Sequence, residues 1–133
     1  MNEYEKKVRA FHTATGSAVD VPFSAELLAF RDRLLVEELT ELQAEIARGI
    51  GEITERGGVT PETKASLMKE MADVQYVLSG MAVTFGLPID EVFSRVHESN
   101  LSKFGEDGKP ILREDGKIMK GPHYHPPKLD DLL

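Results

Sequence analysis

Cysteine is absent from the chain, which excludes disulfides and thiolate metal sites and leaves a reducing compartment open. No long apolar run is present, so no segment reads as a membrane span. The opening MNEYEKKVRAFH also lacks the apolar stretch of a signal peptide. Basic residues are the minority: 16 Lys and Arg against 23 Asp and Glu leave a formal charge of −7. That balance argues against unaided nucleic-acid binding, which needs a basic footprint. These absences lead to the expectation of a cytoplasmic protein that engages neither membrane nor nucleic acid. An acidic chain that handles phosphates needs a cation as intermediary. At 133 residues the chain is most simply one domain, with a poor surface-to-volume ratio of the kind often relieved by oligomerisation.

What is present is helical. Residues 3 to 15 form a short amphipathic pattern with Tyr4, Val8 and Phe11 on one side, ended by Gly16. After the extended linker SAVDVPF, Ser24 is placed to cap a long helix running to Gly49. GIGEITERGGV reads as a polar, glycine-rich loop. Thr60 and Pro61 then supply a cap and a first helical residue for a helix to Phe85, with Gly86 closing it. LPIDEVFSRVHESNLSKF makes the last helix, on whose apolar face Asn100 and Lys103 continue the pattern set by Ile89, Val92, Phe93 and Val96. Beyond Gly105 a short hairpin or flap is expected to turn at Glu114-Asp115-Gly116, followed by a proline-bounded tail. A tail this long in a small domain tends to be functional or to wrap a partner. The expected architecture is all-α, a four- to five-helix bundle completed by dimerisation. Residues 1–104 form its helical catalytic part, and 105–133 its irregular flap and tail.

The chemistry lies in an internal echo. The stretch LVEELTELQAEI (residues 35–46) nearly recurs as LMKEMADVQYVL (residues 67–78), setting Glu38 over Glu70 and Glu41 over Asp73. Each long helix therefore carries an acidic pair three residues apart, and such pairs are surface neighbours. At 100° per residue, Leu28, Leu35, Leu39, Leu42 and Ile46 form a core-facing stripe, with Glu38 roughly 60–80° from its centre. If the two helices pack through their stripes, four carboxylates converge in one cleft. Helical glutamates are commonly no more than a soluble face. Two pairs at matching angles, each bordering a core stripe, instead suggest a divalent ion, because four close carboxylates repel unless something neutralises them. An all-oxygen set suits Mg²⁺ or Mn²⁺. A di-iron bundle would require Glu-x-x-His pairs, which are not present.

EELTE followed by EMAD resembles the EExxE…ExxD signature of the all-α nucleoside triphosphate pyrophosphohydrolases, the superfamily of MazG proteins, phosphoribosyl-ATP pyrophosphohydrolase and dimeric dUTPases. AFHTATG near the start and NLSKFGEDGKPILREDGKIMKGPHY near the end extend the likeness to MazG-like, phosphoribosyl-ATP-pyrophosphohydrolase-like proteins over most of the chain. The resemblance implies a MazG-type fold and hydrolysis of a nucleoside triphosphate between its α and β phosphates. It further implies that Glu38, Glu41, Glu70 and Asp73 hold Mg²⁺, and that Glu37 orients or deprotonates the attacking water. The chain is more compact than the dimeric dUTPases, which leaves the base open. A (d)NTP is implied, dUTP among the candidates, while the long tail departs from the pattern of the phosphoribosyl-ATP enzyme.

Other residues carry two readings each. Asn100 and Lys103 either meet sugar and phosphates or lie at a polar helix end. Lys120 and Tyr124 of KGPHY either close over the phosphates, from the same subunit or a neighbouring one, or belong to a plain surface loop. His12, beside Phe11, either contacts a base or faces solvent at a helix end. His123 and His125 lack the further ligands a zinc site needs. Four helices with one-sided stripes leave apolar surface that predicts a homodimer or a dimer of dimers. A rival from another class is a non-catalytic helical module whose acidic faces bind a basic partner.

Overall fold

A computed structural model of the protein describes residues 1–133. Two compact units make up the chain, Met1–Leu87 and Pro88–Leu133. The first contains α1 (Glu3–Thr15), α2 (Ala25–Arg56) and α3 (Pro61–Phe85). The second contains α4 (Ile89–Leu101), strands β1 (Ile111–Leu112) and β2 (Ile118–Met119), and a terminal 3₁₀ turn at Asp130–Leu132. The all-α expectation holds.

Local side-chain chemistry sets most boundaries of the first unit. Asn2, Ser24 and Thr60 each accept a backbone N–H at a helix start. Gly16, Gly57 and Gly86 close the helices in left-handed conformations, where a side chain would be strained. The expected end of α2 at Gly49 is wrong: the helix runs on to Arg56. Gly49 lies inside the helix with ordinary helical backbone geometry, buried beside Leu67 and Thr63 of α3. The extra turns are then clamped. Glu52 accepts hydrogen bonds from the Thr60 backbone N–H at 3.1 Å and the Thr63 hydroxyl at 3.0 Å, tying the end of α2 to the start of α3.

α3 packs against both α1 and α2. α2 and α3 run antiparallel, since Gly49 meets Thr63 and Leu67 while Arg31 meets Gly80. On α2 the face turned to α3 includes Arg31, Glu38, Gly49 and Glu52, with Leu35, Leu42 and Glu45 half-buried in the same row. This corrects the expected stripe: Leu39 and Ile46, at 39% and 44% exposure, are left uncovered, and so is Leu28. Glu38 therefore sits in the middle of the packed seam, not at its border. α1 buries Glu5, Val8 and His12, spaced three and four apart. The linker after it is pinned by Asp20 and Val21 backbone N–H groups donating to the carbonyls of Val83 and Thr84, and Phe23 stacks on Phe85 with ring centroids 4.6 Å apart.

In the second unit α4 ends at Leu101, earlier than expected, so Lys103 lies in the turn beyond the helix. The hairpin is present as an antiparallel pair, Ile111 opposite Met119, turning through Gly116 at φ 88°. The tail is fastened to α4: Arg95 pairs with Asp131 and Glu91 and donates to the Lys128 carbonyl, and the Ser99 hydroxyl donates to the His125 carbonyl at 2.7 Å.

Candidate metal centre

Antiparallel pairing of α2 and α3 sets Glu38 and Glu41 opposite Glu70 and Asp73. One carboxylate oxygen from each lies within 4.8 Å of all the others. Glu41 is exposed and the other three are half-buried. Glu38 Oε2 and Glu70 Oε2 are buried with no hydrogen-bond partner. A buried acceptor left unmatched is costly, and two in one carboxylate cluster are what a bound cation would satisfy. Burial raises the Glu38 pKa first, followed by the negative charges of Glu41, Asp73 and Glu70. An all-oxygen donor set with orphaned carboxylate oxygens fits a hard divalent cation.

Two neighbours escaped the sequence reading. Lys69 sets its Nζ 2.7 Å from Asp73 Oδ2 and 3.3 Å from Glu70 Oε1, and these hydrogen bonds raise its pKa. Glu45, in line with Glu38 along the seam, has a buried Oε2 without a hydrogen bond. The seven-residue spacing of Arg31, Glu38, Glu45 and Glu52 was the signal for a charged seam, masked by the more conspicuous leucines.

Glu37 is exposed on α2 and is not among the four grouped carboxylates. His12 does not face solvent at the helix end. It is buried, its Nδ1 paired with the Ala18 carbonyl at 3.0 Å and its Nε2 3.4 Å from Arg31. Burial is the main cause of its lowered pKa, and the nearby Arg31 charge lowers it further, which keeps the ring neutral. Gly80 makes this cluster possible, since a side chain there would run into the Arg31 guanidinium.

Asn100, Lys103, Lys120 and Tyr124 all belong to the second unit. Asn100 is exposed in the last turn of α4, and its carbonyl accepts from the Lys103 backbone N–H. The tail comes back against this turn at Gly121, where any side chain would collide with the Lys103 and Phe104 carbonyls. Lys120 lies over the Tyr124 ring, its Nζ 4.8 Å from the centroid. The two lysine-bearing segments expected from sequence thus meet.

A helical hairpin that gathers the last two acids of EExxE and both acids of ExxD into one oxygen cluster defines a class, the MazG-like all-α nucleoside triphosphate pyrophosphohydrolases. Residues 5–100 match the family described as phosphoribosyl-ATP pyrophosphohydrolase. The chain belongs to this family and is a pyrophosphohydrolase, a hydrolase acting on phosphoric anhydrides, which sets aside the non-catalytic interaction module. No curated protein matches the sequence.

Proposed function

We propose that the protein is a Mg²⁺-dependent nucleoside triphosphate pyrophosphohydrolase that cleaves a (d)NTP, dUTP among the candidates, to the monophosphate and pyrophosphate, serving nucleotide-pool house-cleaning in the cytoplasm. The observation that carries this reading is the four-carboxylate cluster with its orphaned oxygens. Glu38, Glu41, Glu70 and Asp73 hold the metal, with Mn²⁺ as an alternative ion. The bound ion neutralises phosphate charge and makes the scissile phosphorus more electrophilic. Glu37, on the same turn of α2 as Glu38 and free of the cluster, is the candidate to orient or deprotonate the attacking water. Asn100, Lys103, Lys120 and Tyr124 supply donors and charge for sugar and phosphates. His12 supports the fold and is not assigned a substrate contact.

A second substrate has a specific observation in its favour: the family matched over residues 5–100 is named for phosphoribosyl-ATP. One assay separates the two. A panel of nucleoside triphosphates and phosphoribosyl-ATP is incubated with protein and Mg²⁺, and pyrophosphate and monophosphate are measured. Turnover of a (d)NTP supports the proposal, turnover of phosphoribosyl-ATP alone replaces it, and release of single phosphates refutes both. Asp73→Asn keeps the side-chain volume and removes a ligand charge. It should cut turnover by roughly a hundredfold or more with unchanged helical circular dichroism; near-normal rates would mean that the wrong acids have been chosen.

A homodimer or dimer of dimers is part of the same proposal. Helical geometry places Leu28, Leu39, Ile46, Ile50 and Ile53 roughly 60–120° to one side of Glu38, and Met71 and Leu78 about 80–100° to the same side of Glu70. All seven are exposed. Because α2 and α3 are antiparallel and face each other, both flanks fall on one side of the hairpin, while Glu41 and Asp73 lie on the other. A second copy seated on the apolar side leaves the acidic cleft open to nucleotide.

A further inference from the structure

We propose that Lys69 is the exchangeable counter-cation of the carboxylate site: its ammonium holds Asp73 and Glu70 while no divalent ion is bound, and gives them up when one arrives. This rests on reading the cluster as a metal site. Lys69 stands on α3 immediately before Glu70 and one turn before Asp73, and its Nζ bridges both at 3.3 and 2.7 Å. The pairing answers the charge of the α3 acids only. Glu38 on α2 receives nothing from it, and one oxygen each of Glu38 and Glu70 stays buried without a hydrogen bond.

Three features make the ammonium replaceable. The Lys69 side chain is 65% exposed, so its four-carbon stem can swing outward without disturbing the packing. Lysine four residues before an acid is the less favourable order on a helix, because the macrodipole favours the reverse. An exposed pair of this kind is worth little in water. A divalent ion carries twice the charge and can take oxygens from both helices at once. Binding it therefore includes a competition: the ion must displace a resident positive charge and then tolerate that charge nearby. Once released, the ammonium stands at the rim of the site as a mobile point charge suited to a phosphate.

The test is calorimetric titration of Mn²⁺ or Mg²⁺ into the protein without nucleotide. Lys69→Met should bind the ion roughly three- to tenfold more tightly than the wild type, since an opposing charge near the site is gone. The difference should shrink at 0.5 M NaCl, where screening is short-ranged. Lys69→Gln should behave like the methionine variant. Lys64→Met removes the same charge from the same helix, more than a turn away, and should leave affinity within twofold of wild type. Without metal, Lys69→Met should melt below the wild type, because the acids lose their only cation, and should gain more on adding metal. Equal or weaker affinity in Lys69→Met, or an equal gain in Lys64→Met, overturns the role of Lys69 alone. No ion binding by any of the proteins overturns the metal reading and this inference with it.

Discussion

Glu38 concentrates the site's conflict in one residue. It occupies a position of the α2–α3 seam where packing alone would favour leucine, and three other carboxylates surround it. Burial and those charges raise its pKa. A group whose folded-state pKa is raised binds its proton more strongly folded than unfolded. Its stabilising contribution is then complete below the ordinary glutamate range and is lost as pH rises through the raised value. Metal-free Glu38→Gln should accordingly melt above the wild type at pH 7–8, with the gap closing towards pH 4. Saturating Mg²⁺ should reverse the order at neutral pH, because only the wild type keeps the full ligand set and gains stability by mass action. Scanning fluorimetry across pH, with and without metal, measures both. A variant that melts with the wild type at every pH would mean that Glu38 is solvated and unstrained.

At the scale of elements, the α2–α3 hairpin is held at its closed end by polar groups. Thr63 is fully buried at 0% exposure; its hydroxyl donates to Glu52 Oε2 and accepts from the Thr60 hydroxyl. Thr63→Val preserves shape and leaves the Glu52 oxygen short of a donor, so it should cost about 1–2 kcal/mol in urea unfolding. The same contacts lower the Glu52 pKa, the Thr60 backbone N–H contributing most. That stabilisation is complete above the ordinary glutamate range and is lost as pH falls below it through the lowered value, so the penalty of the valine variant should shrink in acid. An unchanged unfolding midpoint would show that water replaces the clamp without loss. This clamp also explains what the sequence concealed. The starts of α2 and α3, and the ends of α1 and α3, follow from caps that act within a few residues, so Ser24, Thr60, Gly16 and Gly86 could be read directly. The true end of α2 depends on Glu52 reaching residues eight and eleven positions away, and Gly49 and Gly51 read locally as breakers. The acid cluster was legible because the repeat doubled it. The seam's orientation was not, because exposed leucines imitated a core.

At the scale of the whole molecule, the first unit is short of covered apolar surface. Its buried hydrophobic residues are few, namely Val8, Ala82, Val83 and Phe85, whereas Ile50 and Ile53 of α2 remain 61% and 52% exposed. An apolar flank of this kind is the surface that the proposed assembly would cover. A second copy of the same chain is the simplest occupant, because a two-fold axis lets one patch cover itself and turns two helical hairpins into a four-helix arrangement. The wild type should therefore run as a dimer or tetramer in light scattering at micromolar concentration. Leu39→Glu combined with Ile46→Glu places two charges on the flank and two more negative charges at the symmetry-related positions, which should yield monomer. Since Glu41 and Asp73 lie on the opposite side of the hairpin, the monomeric variant should still show a melting shift with Mn²⁺ or Mg²⁺. That separates loss of assembly from loss of the site. A wild type that is monomeric across the concentration range removes the basis for the interface. A charged variant that stays oligomeric moves the interface to another face of the protein.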